Sequence, residues 1–165
     1  MSISAEQYWQ FSESIWKQPG ARHTALELQD KYALEPNLLL LALLLEQQGQ
    51  FLDDNQFRQL EMAQGSWRDR MLAPYRQLRR LAKHNLPAES YQQMLEVELV
   101  MEKRSQQLIL KSLERMRFAH EGDNLAACLD AQGIEPNTLP GNLLQQLSHL
   151  FQLCAPDDLP TYNLS

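Results

Sequence analysis

Apolar residues recur along this chain at spacings of three and four, the period that returns side chains to one side of an α-helix. Over residues 4–17 the recurring positions are Tyr8, Phe11, Ile15 and Trp16, with Ser4 as N-cap and Gln7 as the returning half of a capping box. Pro19 and Gly20 end that segment, and residues 21–32 repeat the pattern with Ala25, Leu28 and Tyr32. Then comes a stretch with no polar side: eight of the nine residues from position 37 to 45 are Leu or Ala. Pro36 suits its first helical position, where a missing N–H costs nothing, and Gly49 closes it. A helix apolar all round is one that other helices surround.

Beyond it, Asp53, Asp54 and Asn55 offer caps to a segment carrying Phe57, Leu60 and Met62, which Gly65 is expected to interrupt. The two adjacent carboxylates read as caps favouring the helix dipole, not as a metal site. Pro74 is expected to bend or restart the next helix. There Tyr75, Leu78 and Ala82 share one face and Arg76, Arg79, Arg80 and Lys83 the other. After a break at residues 85–87, a long helix is expected from 87 to about 120. Its apolar positions Tyr91, Met94, Leu95, Leu99, Leu108, Ile109, Leu113 and Met116 are interrupted by Glu98, Glu102 and Arg104. This helix can pair within its own chain or with a second copy as a homodimer. Shorter helices are expected at 125–132 and 140–153. LEPN at 34–37 and IEPN at 134–137 read as one helix-start chemistry used twice.

The composition carries this pattern to a fold class. Leu dominates while β-branched Val and Ile are scarce, which favours helix over strand. A chain of 165 residues that is 44 % apolar with only 6 Gly can build one real core. The expectation is all-α: a single-domain helical bundle of six or seven helices around a central apolar helix, spanning residues 1–155, with 156–165 as a frayed tail. The Leu-rich run is too short for a bilayer, which needs ~20 apolar residues. Cys128 and Cys154 have no partner spacing for zinc or a disulfide framework, and the polar N-terminal stretch does not read as a secretory leader. A cytoplasmic setting is expected.

No nucleophile elbow, dinucleotide or phosphate-binding glycine pattern, calcium loop or paired His spacing is present. Glu96, Glu98 and Glu102 lack the Glu-x-x-His partners of a di-iron site. The reading is therefore of a non-enzyme with no catalytic residues, metal or cofactor. Charge is the feature that stands out. Residues 66–84 carry six Lys or Arg against one Asp, a net of +5, while the rest of the chain carries nine basic and twenty acidic residues, a net of −11. Trp67, Arg68, Arg76, Arg79, Arg80 and Lys83 form a candidate basic face with an aromatic anchor, suited to docking an acidic protein surface. The same face could hold RNA or DNA phosphates. In the plainer alternative these arginines pair with the chain's own carboxylates. A small apolar ligand between the central helix and the first one is a third reading.

Taken in order, YWQFSESIW, LELQ, PNLLLLALLL, WRDRMLAPYRQLRRL and YQQMLEVELVMEKRSQQLIL resemble a family of small, uncharacterised proteobacterial all-helical proteins with a domain of unknown function. The resemblance covers roughly residues 8–110. It marks Trp9, Leu28, Gln29, Asn37, Leu38, Trp67, Arg68, Pro74, Arg76, Leu78 and Arg79. Glu35-Pro36 and Tyr75 depart from its pattern, and it implies a helical fold without implying an activity. Among the marked residues, Asn37 reads as a buried polar group at the start of the central helix, with Gln29 as its hydrogen-bond partner.

Overall fold

The computed structural model describes residues 3–153. Within them the chain forms α1 (Ala5–Trp16), α2 (Ala21–Tyr32), α3 (Pro36–Gln47), α4 (Asp54–Trp67), a π turn (Arg68–Leu72), α5 (Ala73–Ala82), α6 (Ala88–Leu113), α7 (Asn124–Ala131), a 3-10 turn (Pro136–Thr138) and α8 (Gly141–Leu153). The backbone stays helical from α4 through the π turn into α5, with Trp67, Arg68, Leu72 and Ala73 all right-handed. Counted as one rod, that stretch leaves seven helices; counted as segments, there are eight. The frayed-tail expectation for 156–165 and the reading of Cys154 lie outside the described residues.

The core is built on α3. Every residue from Pro36 to Leu45 is buried, and α1, α2, α4, α6, α7 and α8 all touch this helix. Its entry is made locally. Ala33 takes a left-handed conformation (φ 56°, ψ 29°) that ends α2, and Glu35 is extended (φ −83°, ψ 116°), as a residue before proline must be. Tyr8, Phe11 and Ile15 of α1 and Leu28 of α2 pack into the same cluster, joined by Leu60 of α4, Leu129 of α7 and Leu147 of α8. No described helix is long and apolar enough to cross a membrane.

Several expectations about boundaries change or sharpen. Gly65 does not interrupt α4, because a tertiary setting absorbs the roughly 1 kcal/mol that glycine costs inside a helix. At Pro74 the α-helical pattern does restart, α5 beginning at Ala73, but the backbone stays helical across the junction. The widened π turn directly before it accommodates a residue that has no N–H and whose ring crowds the preceding turn. The long helix stops at Leu113 instead of about 120, since the chain after it is extended enough for Ala119 and Phe51 to exchange backbone hydrogen bonds of 2.9 and 3.0 Å. The complete capping box belongs to Asp53 and Gln56, whereas at Ser4 the hydroxyl caps Gln7 N at 3.0 Å. The LEPN and IEPN echo separates too: Pro36 opens α3, but Pro136 opens only a single 3-10 turn.

One part of the molecule stands apart from this core. All six buried residues of α6 lie from Met101 onward, and the buried residues of α5 are Arg76 and Ala82 alone. With the first half of α6, residues 88–100, α5 makes a two-helix arm whose inner contacts are largely polar.

Candidate functional site

The inner side of the arm reaches the bundle through one guanidinium. Arg76, only 5 % exposed, donates from Nη2 to both carboxylate oxygens of Glu102 at 3.0 and 2.8 Å. The same nitrogen lies 3.6 Å from Glu35 Oε1. The Gln29 amide, oriented with its oxygen toward the guanidinium, accepts from Nη1 at 2.8 Å and Nη2 at 3.2 Å. Four helix positions thus meet on one cation: α2 through Gln29, the entry to α3 through Glu35, α5, and α6 through Glu102.

Asn37 continues the seam. Its Nδ2 donates to Glu102 Oε1 at 3.1 Å, its Oδ1 accepts from Gln106 Nε2 at 3.1 Å, and its backbone carbonyl accepts the Tyr8 hydroxyl. Gln106 Nε2 also donates to Ser12 Oγ at 2.9 Å, and that hydroxyl donates back to the Tyr8 carbonyl at 2.8 Å. A buried polar ladder therefore runs from α1 through α3 and α6 to α5. Sequence alone pairs Gln29 with Asn37. The two belong to the same network but face different partners, because Arg76 and Glu102 come between them.

Charge in the seam does not balance by itself. Two carboxylates face one guanidinium in surroundings that disfavour a net charge. The carboxyl of Glu35 carries the imbalance. Burial pushes its pKa up to about 7, with Arg76 pulling down and Glu102 pushing up. Its Oε1 accepts no hydrogen bond, and neither does Gln106 Oε1. The Tyr8 phenol is pushed up by burial and by Glu35, and so stays a donor. Burial works to lower the Arg76 value, but Glu102 and Glu35 more than offset it and keep it charged.

The other residues of the predicted basic face divide by direction. Arg79 turns inward and donates to both Glu98 oxygens at 2.6 and 3.3 Å. Trp67 is half-buried, its Nε1 donating to the Met101 carbonyl at 3.2 Å. Arg68 is held by Glu61 and by Asp69 at 3.1 Å. Arg80 lies at the surface, 3.3 Å from Asp30. Lys83 is exposed and forms no ion pair among the described residues.

So the face that was to offer four positive charges turns Arg76 and Arg79 inward, while Leu78, which shared the apolar face with Tyr75 and Ala82, is 57 % exposed and Leu81 is 61 % exposed. The physical reason is on the opposite helix. Glu98 and Glu102 stand one turn apart on α6 and hold the arginines against it. The Tyr75 hydroxyl closes the same seam on the Met94 carbonyl at 2.8 Å. Glu35, Glu102, Tyr8 and Gln106 were not among the sequence candidates. The available signal was the pair Glu98 and Glu102 breaking an otherwise apolar stripe, across a short turn from two arginines that also stand about one helical turn apart.

These features define an all-helical bundle whose only described arm is latched to its centre by a buried ionic seam. The chain belongs to the family described as protein of unknown function DUF2390, which it matches over residues 7–109. That span begins one residue before Tyr8 and ends three after Gln106, so the whole seam falls within it. No curated protein and no solved structure matches the chain.

Proposed function

We propose that this chain is a protein-protein interaction module and that the α5–α6 arm is its docking element. The observation that carries the reading is the orientation of α5. Two of its three arginines, Arg76 and Arg79, face inward to carboxylates, and its large aliphatic side chains face solvent. Met71, Leu78 and Leu81 on the α5 side and Val97 and Val100 on α6 are each about half exposed or more. Apolar surface gathered on one projecting element and rimmed by charge is how docking sites are built. Arg70, Arg80 and Lys83 are exposed on the same element. The fitting partner is a protein surface with an apolar centre and an acidic rim.

The test is affinity capture from native extract, with and without nuclease. The tagged chain is compared with Leu78→Lys/Leu81→Lys and with Arg70→Glu/Lys83→Glu. A protein held by the wild type, retained after nuclease and lost with the leucine variant, is the expected result. Capture that disappears with nuclease would replace this reading by nucleic-acid binding through the rim cations, whose affinity should fall linearly with the logarithm of salt concentration.

A further inference from the structure

We propose that the partner of the arm is a second copy of this chain, the two arms pairing face to face about a two-fold axis that runs along them, so that α5 of one copy lies antiparallel on residues 88–100 of the other. The proposal rests on the docking reading above and names its occupant.

The two lips of the arm's seam are alike. Tyr75 meets Met94 across the seam; Leu78 stands one turn beyond Tyr75, and Val97 one turn beyond Met94. Leu81 and Val100 each follow three residues on, and Met71 lies at the base of α5. Exposure runs from 48 % at Val97 to 67 % at Val100. Together the five present on the order of 500 Å² of apolar surface, close to the apolar share of the ~800 Å² that each partner buries in a standard interface. A helix pair with this much apolar surface on one side completes itself as a four-helix bundle when doubled.

The rim is self-complementary as well. Arg70 on the α5 side is exposed, Glu89 and Glu96 on α6 are exposed, and none of the three forms an ion pair among the described residues. A two-fold axis makes a patch meet itself, so a surface that is basic on one helix and acidic on the other finds its complement in a copy. With the axis along the arms, tip lies beside tip and base beside base; because Tyr75 and Met94 stand level, Glu96 of one copy comes within about a turn of Arg70 of the other, and the contact occurs twice.

Sedimentation of the full chain tests this. The wild type is expected at twice the 19.2 kDa chain mass. Leu78→Lys/Leu81→Lys and Val97→Glu/Val100→Glu should each weaken pairing about 100-fold or more with unchanged helical circular dichroism. Mixing the two variants should restore a dimer, because the new lysines of α5 meet the new glutamates of the partner's α6. Should a charged variant lose helicity, Leu78→Gln/Val100→Gln takes its place. A wild type that sediments as a monomer at ~100 μM overturns the proposal, and so does a dimer that persists in both variants. If such a monomer still captures a different protein that Leu78→Lys/Leu81→Lys releases, self-pairing falls while the docking reading stands. If capture is also unaffected by that variant, both fall.

Discussion

α3 and α5 are both helices of this bundle, 12 and 10 residues long, and they are assembled by opposite logic. In α3 each side chain from Pro36 to Leu45 is removed from water, and the aliphatic ones need only neighbours of suitable shape. In α5 the buried long side chain is a guanidinium, held by direction and charge, and the leucines are outside. The difference teaches what each region can tolerate. A dry core accepts repacking and suffers from voids, whereas an ionic seam accepts little change in either partner and leaves the opposite face of its helix open for other use.

The sharpest way to break the comparison is Arg76→Ala. It strands Glu102 and Glu35 inside without their cation and is expected to cost about 4 kcal/mol, read as a drop in the urea midpoint. Leu41→Ala, in the fully buried centre of α3, should cost about 3 kcal/mol through lost transfer energy and a cavity, checked in the same titration. A double variant of Arg76→Met with Glu102→Leu should recover most of the first loss, whereas no second substitution at a neighbouring carboxylate should recover the second.

Glu35→Gln acts in the opposite direction and depends on pH. The folded state holds this carboxyl at about 7, above the ordinary 4.5. Its contribution is therefore fully present below about pH 4.5 and is lost as the pH rises through 7. The variant should match the wild type near pH 4.5 and exceed it by up to about 3 kcal/mol at pH 8, with a flatter stability profile between those limits. The smallest effect is expected at the arm's outer face. Leu78→Gln in dilute solution should leave monomer stability within about 0.5 kcal/mol, measured by thermal melting, because the side chain is already mostly in water.

What the sequence disclosed follows the same division. The identity of α3 as central helix could be read directly, since a run of Leu and Ala has no polar side to present and its Pro and Gly boundaries are chemical. The asparagine at its start could be recognised as a buried polar group for the same reason. The direction of α5 could not be read locally, because Leu78 and Arg76 are equally acceptable as inner residues until the facing helix is known to carry Glu98 and Glu102. Glu35 looked like part of a helix-start motif. Only the fold brings Arg76, more than forty positions away, against it. The end of α6 was missed because residues 114–120 have ordinary helical composition, and their pairing with Phe51 is a long-range event.

The π turn of residues 68–72 sets the phase of everything beyond it. Each residue of an α-helix advances the chain by about 100°, and a π turn is in effect one residue accommodated without leaving the helix. The five residues wound as a π turn cover about the same angle as four wound as α, so deleting a single position there would let the segment revert to α-helix with Arg76 still on Glu102. In evolutionary terms this segment is where a relative could lose one residue and keep the same latch, whereas a deletion within α5 itself, where each residue turns the helix by about 100°, would carry the arginines away from α6.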